Sequence, residues 1–380
     1  MGSKKQDNRM GWIRNLEALN QSESDSSWRE FEIASECYIP GEFVYDNGKI
    51  SCRYLTIKKD KNGLWQYLLR MEYSKKDFLP NDQGTNKGYY FINGPVGEIA
   101  ALLSLFFQCR FYILASYTFL SENEKIKDEE VFLYRRCDKE IHPTIFDNEK
   151  MGRNFGIGLN EFLEKVKKLP PKKHQSFILA SWRYAESLKE ASFDNSEMVF
   201  IHLVSAIEAL SKQYPLSKEQ NPLDGESFED LFAKANLSQH HLKQLREILH
   251  VDENGKIDII EKSALKFREF IKAYSEELCF SHKEDGAAEH IYVTPANFDR
   301  TLKSIYDARS KYLHEGEPMY LSRFMNGGIP WDFDASLGRR IDNRTYKFDK
   351  KLPYPHWFEN LVRHCLLKYL EQNIEETSKN

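Results

Sequence analysis

The stretch TPANFDRTLKSIYDARSKYLHEGEP, residues 294–318, carries start and stop signals for a single helix. Thr294 suits the N-cap, and Pro295 suits the first turn, where a backbone N–H has no partner in any case. Gly316 suits the left-handed position that closes a helix, and a proline two residues later prevents continuation. These signals predict a helix over residues 294–315 with a histidine in its last turn.

One face of this predicted helix is apolar but contains a charge. At about 100° per residue, its large apolar side chains fall on one stripe, made of Phe298, Leu302, Ile305, Tyr312 and Leu313. Arg309 falls in the middle of that stripe. A guanidinium in a desolvated seam is costly unless it pairs with an acid or binds an anion. Arg309 is therefore either half of a structural ion pair, with Glu208 as the candidate partner, or part of a binding site.

His314 lies about 140° around the same helix from Arg309, near the edge of the stripe or beyond it. A histidine at this position is either a favourable charge at the helix C-terminus or a functional imidazole. The two side chains converge on one ligand only if Arg309 reaches along a groove, or if a second copy of the helix completes the site. Spacing alone leaves both interpretations open.

Before the helical part, the first ~150 residues show short alternating runs and turn signals, which predict an irregular α+β domain. Its predicted elements are a hairpin within residues 52–73, strands at 89–94 and 129–136, and a buried helix at 95–109 that runs into a strand at 110–119. Pro170 and Pro171, flanked by lysines, predict a domain boundary.

After this boundary, the hydrophobic period becomes that of helices. Helices are predicted at residues 173–190, 195–213, 227–236, 238–249, 262–280, 294–315 and 355–373. The sequence thus predicts an α+β regulatory or sensor domain over residues 1–168, followed by an all-α bundle over residues 169–380. The fold class is α+β.

Composition is that of an ordinary globular protein, with 41% hydrophobic and 29% charged residues. The formal net charge of −4 provides no global basic field, so any contact with nucleic acid must come from a local basic site. The cysteines are widely spaced and form no CxxC pair, which favours a reducing, cytoplasmic setting. The first residues lack an apolar segment, so no secretory signal is predicted. Gln108 and Arg110 interrupt the apolar stretch 99–120, which argues against a membrane span.

Residues 309–314, RSKYLH, resemble the R-x4-6-H motif of the HEPN family. The earlier helix FIHLVSAIEAL (200–210), which contains Glu208, and the closing helix HWFENLVRHCLLKYL (356–370) are similar to the ApeA-like branch of that family. The likeness covers about residues 174–373.

Two features depart from the family pattern. Ser310 follows the arginine, where the family often has Asn, Asp or His, and segment 215–260 resembles an insertion.

The resemblance implies a metal-independent endoribonuclease without a cofactor, working as a homodimer through the helical domain with both motifs facing across the interface. RNA would be cut by attack of its own 2′-OH, with His314 transferring protons and Arg309 stabilising the phosphorane. Glu208, Ser310 and Tyr312 are the supporting residues. Glu208 would hold Arg309 between substrates, and Tyr312 suits a subunit seam.

The resemblance also implies a toxin or an antiviral effector of the abortive-infection type that acts on RNA, with tRNA as one candidate. The N-terminal domain would then respond to a trigger ligand or protein. The alternative is a non-catalytic HEPN module that binds RNA, a nucleotide or a protein partner, with Arg309 serving structure.

Further patterns lie outside the motif. Basic residues in and after the motif helix are either solvated surface or a track for RNA phosphates. They are Lys311, Arg339, Arg340, Arg344 and Lys347. Residues 250–261, HVDENGKIDIIE, match part of a calcium-loop template, which would suit a calcium-regulated adaptor, but an Asn-Gly turn explains them equally well. His240 and His241 have no acidic residue or cysteine at ligand spacing, so they predict an exposed helix start and no metal site.

Overall fold

A computed structural model describes most of the chain. The described residues are 11–21, 26–39, 42–55, 63–74, 94–119, 125–127, 148–191, 195–217, 227–228, 232, 237–248, 263–275, 292–319, 332, 340–341, 344–345 and 352–375. The following strands and helices lie within these ranges.

The N-terminal part contains an antiparallel sheet of six strands in the order β2-β3-β4-β1-β5-β6. The strands are β1 (Ser26–Ser35), β2 (Phe43–Tyr45), β3 (Ile50–Tyr54), β4 (Trp65–Ser74), β5 (Phe111–Phe119) and β6 (Lys125–Lys127). The predicted hairpin is confirmed, since β3 pairs antiparallel with β4 and Cys52 lies opposite Leu69. A second ladder, of β7 (Arg340–Ile341) and β8 (Arg344–Thr345), forms late in the chain.

The described helices dominate the second half of the chain, and the protein is a mixed α+β structure. They are α1 (Gly11–Gln21), α2 (Gly94–Phe107), α3 (Asn148–Lys167), α4 (Pro171–Ala191), α5 (Ser196–Ser211), α6 (Gln239–Ile248), α7 (Ser263–Tyr274), α8 (Pro295–Glu315) and α9 (Pro355–Glu375). None of them is long and apolar enough to cross a membrane.

Several sequence predictions are confirmed in detail. The buried helix followed by a strand is α2 followed by β5, with a turn at Gln108 between them. The motif helix and the closing helix are α8 and α9, and the predicted helix at 262–280 is α7, which ends at Tyr274. The predicted strand at 129–136, most of the one at 89–94 and most of the predicted helix at 227–236 lie outside the described residues.

A hydrophobic cluster runs through both predicted domains. It joins the core face of the sheet, including Phe31 and Leu69, to helical residues such as Phe200 and Leu366. The apolar helix α2 packs against α4, so it lies between the sheet and the helical part. One helix, α3, ends and the next, α4, begins at the predicted proline pair. The division into two domains at residue 168 stays a prediction.

Buried and partly buried hydrogen bonds also link the two parts. Glu359 on α9 is only 2% exposed and accepts hydrogen bonds from the Tyr184 hydroxyl and from Gln108 Nε2, the latter at 2.9 Å. Burial raises the pKa of this carboxyl group above its ordinary value. Arg363 donates to the carbonyl oxygens of Leu105 (2.9 Å) and Phe106 (2.6 Å), which lie at the C-terminal end of α2. These bonds satisfy helix-end carbonyls that would otherwise lack partners.

Candidate functional site

The motif helix α8 ends as the sequence predicts. Thr294 is its N-cap in an extended conformation, but Asn297 supplies the side-chain bond at this end, because its Oδ1 accepts from the Thr294 N–H at 2.9 Å. At the other end, Gly316 has φ +67° and its N–H donates to the carbonyl of Lys311. A left-handed residue of this kind stops a helix, so His314 lies in the last turn.

Arg309 pairs with Glu208 on α5. The distance between Arg309 Nη2 and Glu208 Oε2 is 2.7 Å, and the two side chains are 17% and 18% exposed. The arginine in the apolar stripe therefore has an acidic partner, as the structural interpretation of the sequence requires. A partly buried pair of this kind is held more firmly than one on the open surface, where such contacts contribute little.

Tyr306 completes this contact, and the sequence analysis missed it. Its hydroxyl donates to Glu208 Oε1 at 3.0 Å, so both oxygens of the carboxylate are occupied by donors from α8. Burial, and then the neighbouring Glu208 charge, raise the pKa of Tyr306 to about 12, so the phenol remains a donor at neutral pH. The available signal was spacing, because residues three apart share a helix face.

One donor of Arg309 is unused. Its Nε atom is buried and has no hydrogen-bond partner among the residues that the structure describes. A buried N–H without an acceptor is unfavourable, so it provides a reason for an acceptor to enter.

His314 is exposed and lies apart from this cluster. Five residues of regular helix separate it from Arg309 by about 7.5 Å along the axis and about 140° around it. Within the described part of the chain, no hydrogen bond or ion pair joins the two side chains. One copy of α8 thus holds the arginine partly buried and presents the histidine to solvent.

The supporting residues of the motif differ in their surroundings. Tyr312 is half-buried and packs against the core, and Ser310 is half-buried. Lys311 forms an ion pair with Glu317 at 3.5 Å. Leu313, at the end of the apolar stripe, is 47% exposed in the single chain. The buried side chains of α8 lie between residues 297 and 305, and the stripe beyond them is at most half-buried.

The basic patch is only partly described. Arg339 and Lys347 lie outside the described residues, whereas Arg340 and Arg344 belong to the β7–β8 ladder, where the structure describes the backbone alone. Their approach to α8 stays a prediction.

Two segments bear on metal binding. The calcium-loop candidate at 250–261 lies outside the described residues. His240 and His241 are exposed in the first turn of α6, as predicted. Among the described residues, no group of three or more histidine, cysteine or acidic side chains is placed to hold a metal ion.

The chemistry available at α8 follows from these side chains. Arg309 offers a permanent positive charge and planar donors, which suit a phosphate or carboxylate. His314 offers an exposed imidazole, the side chain that most often serves as a general acid or base. No family model matches the chain, and neither a curated protein nor a solved structure matches it.

Proposed function

We propose that this protein is a metal-independent endoribonuclease of the HEPN type, with an N-terminal α+β domain over residues 1–168 and a helical HEPN bundle over residues 169–380. The observation that carries the proposal is the arrangement on α8. Arg309 is fixed by Glu208 with its Nε donor unused, and an exposed His314 follows on the same helix.

The proposed reaction uses these two kinds of side chain and the RNA itself. The 2′-oxygen of a ribose attacks the adjacent phosphorus, and the bond from phosphorus to the 5′-oxygen breaks. His314 takes the proton of the 2′-hydroxyl or supplies one to the leaving 5′-oxygen. Arg309 stabilises the negative charge that develops on the phosphorane, because a guanidinium donates along two directions at once. The products are a 2′,3′-cyclic phosphate and a free 5′-hydroxyl.

A homodimer would supply the second proton-transfer group. Because one helix presents Arg309 and His314 about 140° apart, two copies related by a two-fold axis near α8 would bring both types of side chain to one groove. The exposed Leu313 beside His314 and the half-buried Tyr312 supply apolar surface for such a contact.

The biological role follows from the resemblance of the RSKYLH motif and its flanking helices. We propose a cytoplasmic toxin or antiviral effector that cuts cellular or invading RNA, with tRNA as one candidate substrate. The N-terminal domain would bind the trigger, which is a ligand or a protein.

A second candidate function is favoured by the same ion pair. Glu208 already neutralises Arg309 and Tyr306 completes the contact, so the three side chains can serve as a structural link between α5 and α8. The protein would then be a non-catalytic HEPN module that binds RNA, a nucleotide or a protein partner.

One experiment separates the two candidates. The purified full chain is incubated with total RNA in EDTA, and the new RNA ends are mapped. Cleavage that leaves cyclic or 3′-phosphate ends, with DNA of the same sequence intact, supports the nuclease. Cleavage that requires a divalent metal, or equal cutting of DNA, rules out this mechanism, and an absence of any cutting favours the binding module.

A further inference from the structure

The carboxylate of Glu208 is held from both sides by one helix. Arg309 Nη2 donates to Oε2 at 2.7 Å, and the Tyr306 hydroxyl donates to Oε1 at 3.0 Å. The two donors are three residues apart on α8, and the acceptor lies on α5. The contact therefore fixes the guanidinium in the conformation that the free protein shows.

This carboxylate resembles the ligand that the site is proposed to bind. A carboxylate and a phosphate each present a pair of oxygens to the planar donors of a guanidinium. An anion that binds Arg309 in a bidentate manner uses a terminal nitrogen, and Glu208 already accepts from one of them. The negative charge of Glu208 also repels a phosphate at close range. Glu208 and a phosphate thus compete for Arg309.

The Tyr306 hydroxyl reaches Arg309 through Glu208. Its hydroxyl contacts the carboxylate, and the Ser263 hydroxyl at the start of α7 in turn contacts Tyr306. The guanidinium carbon of Arg309 also lies over the Tyr306 ring, 5.8 Å from its centroid, in a cation–π contact that Tyr306→Phe would keep. Tyr306 is accordingly a positioning residue, because it sets how firmly the carboxylate is kept at the arginine.

We propose that Glu208 and Tyr306 form a latch on Arg309, in which the carboxylate occupies the guanidinium in the free protein and gives it up when an RNA phosphate binds. This inference rests on the proposed function, in which Arg309 is the phosphate ligand. The latch lowers the affinity of the resting protein for RNA, and the Tyr306 hydroxyl strengthens the latch.

The test measures equilibrium binding of the full chain to a fluorescent 2′-O-methyl RNA oligonucleotide, which cannot be cut because it lacks the attacking hydroxyl. Glu208→Gln keeps the shape of the side chain but removes its charge, so affinity should rise by about tenfold. Tyr306→Phe removes one of the two donors to the carboxylate, so affinity should rise by roughly threefold. In a Glu208→Ala background, Tyr306→Phe should have no further effect, since its acceptor is gone.

The matched control is Asp299→Asn, which removes one negative charge from the same helix. Asp299 pairs with Arg268 at 2.8 Å and lies ten residues, about 15 Å along the axis, from Arg309. Its effect on RNA affinity should stay below about twofold, because a charge about 15 Å away is largely screened by salt.

A second measurement follows the guanidinium without RNA. Phenylglyoxal labelling of Arg309, read by mass spectrometry, should be faster in Glu208→Gln and in Tyr306→Phe than in the wild type. Melting curves identify any variant that unfolds. If Glu208→Gln unfolds, the result for Tyr306→Phe alone decides whether the latch exists.

The outcomes separate the latch from the function. If Arg309→Ala loses affinity but neither Glu208→Gln nor Tyr306→Phe gains any, the latch is wrong and the phosphate site stands. If Arg309→Ala binds the oligonucleotide as tightly as the wild type, the proposed function itself fails.

Discussion

Arg309 on α8 and Glu208 on α5 are separated by 101 residues in the chain and by 2.7 Å in the structure. Within the described ranges, the Glu208 carboxylate has one other donor, Tyr306, and the Arg309 side chain is mostly buried. Removing the arginine therefore has two separable effects, one on the chemistry at α8 and one on the packing of α8 against α5.

Arg309→Ala should reduce RNA cleavage by at least about a hundredfold, because the phosphorane loses its charged donor. It should also lower the free energy of unfolding by about 1–2 kcal/mol, since the partly buried carboxylate keeps only one hydrogen bond. RNA gel assays and denaturant titrations measure the two effects. Arg300→Ala, an exposed arginine on the same helix, is the control for both. Near wild-type cleavage by Arg309→Ala would exclude a catalytic role for this residue.

His314→Ala should reduce RNA cleavage without reducing stability. Cleavage should fall by about a hundredfold or more, because proton transfer is lost. The free energy of unfolding should change by no more than about 0.5 kcal/mol, since the side chain is exposed. The same two assays apply. A stable variant that cuts RNA normally would show that another group transfers the proton.

The proposed dimer predicts a specific role for Leu313. Its side chain is 47% exposed in the last turn of α8, beside His314. Leu313→Glu should raise the dissociation constant of the dimer by at least about tenfold, because it places a charge in an apolar contact. Light scattering over a dilution series measures this. Leu237→Glu, at a leucine that is 37% exposed outside α8, should leave the dimer unchanged. A wild-type protein that is strictly monomeric yet cuts RNA would contradict the shared site.

Glu98 predicts a pH dependence of stability. This carboxyl group on α2 is buried and accepts from the N–H groups of Gly11 (3.0 Å) and Trp12 (2.9 Å), at the start of α1. Burial raises its pKa from 4.5 to about 7. Between these two values the folded protein keeps the proton while the unfolded chain releases it, so the free energy of unfolding falls as pH rises.

The size of this change in the free energy of unfolding is set by the shift in the pKa of Glu98. At 1.36 kcal/mol per unit, Glu98 should reduce the free energy of unfolding by up to about 3 kcal/mol between pH 4.5 and 7. Glu98→Gln removes the titration and retains an acceptor for α1. Denaturant titrations of both proteins at several pH values should show a flatter profile in the variant. Parallel profiles would mean that Glu98 ionises as freely in the folded state as in the unfolded chain.

The hydrogen bonds of Arg363 join the sheet side to the helical side, and their contribution to the free energy of unfolding can be measured. Its two donors satisfy the carbonyls of Leu105 and Phe106 at the end of α2. Arg363→Ala leaves both carbonyls without this partner, so the free energy of unfolding should fall by about 1.5–3 kcal/mol. Lys167→Ala, which loses only a surface ion pair with Glu164 at 4.0 Å, should lower it by less than about 1 kcal/mol. Equal losses in the two variants would show that the Arg363 contact contributes no more than a surface pair.

The sequence by itself determined the features that depend on near neighbours. The left-handed Gly316, the hairpin of β3 and β4, and the passage from α2 into β5 all follow from a few adjacent residues. Capping, turn geometry and hydrophobic period act over one or two turns of chain, so their signals are complete within a short stretch. The pairing of Arg309 with an acid was also foreseeable, because a charge in an apolar stripe requires a partner.

Only the tertiary structure decided what surrounds the motif. Tyr306 meets Glu208 across 98 residues, and Glu98 meets Gly11 across 87, so no local signal identifies either partner. The apolar stripe of α8 runs as far as Leu313, but the buried side chains of this helix lie between residues 297 and 305. Periodicity shows which face of a helix is apolar, whereas the position and length of the adjoining helices determine how much of that face is buried and which polar groups meet there.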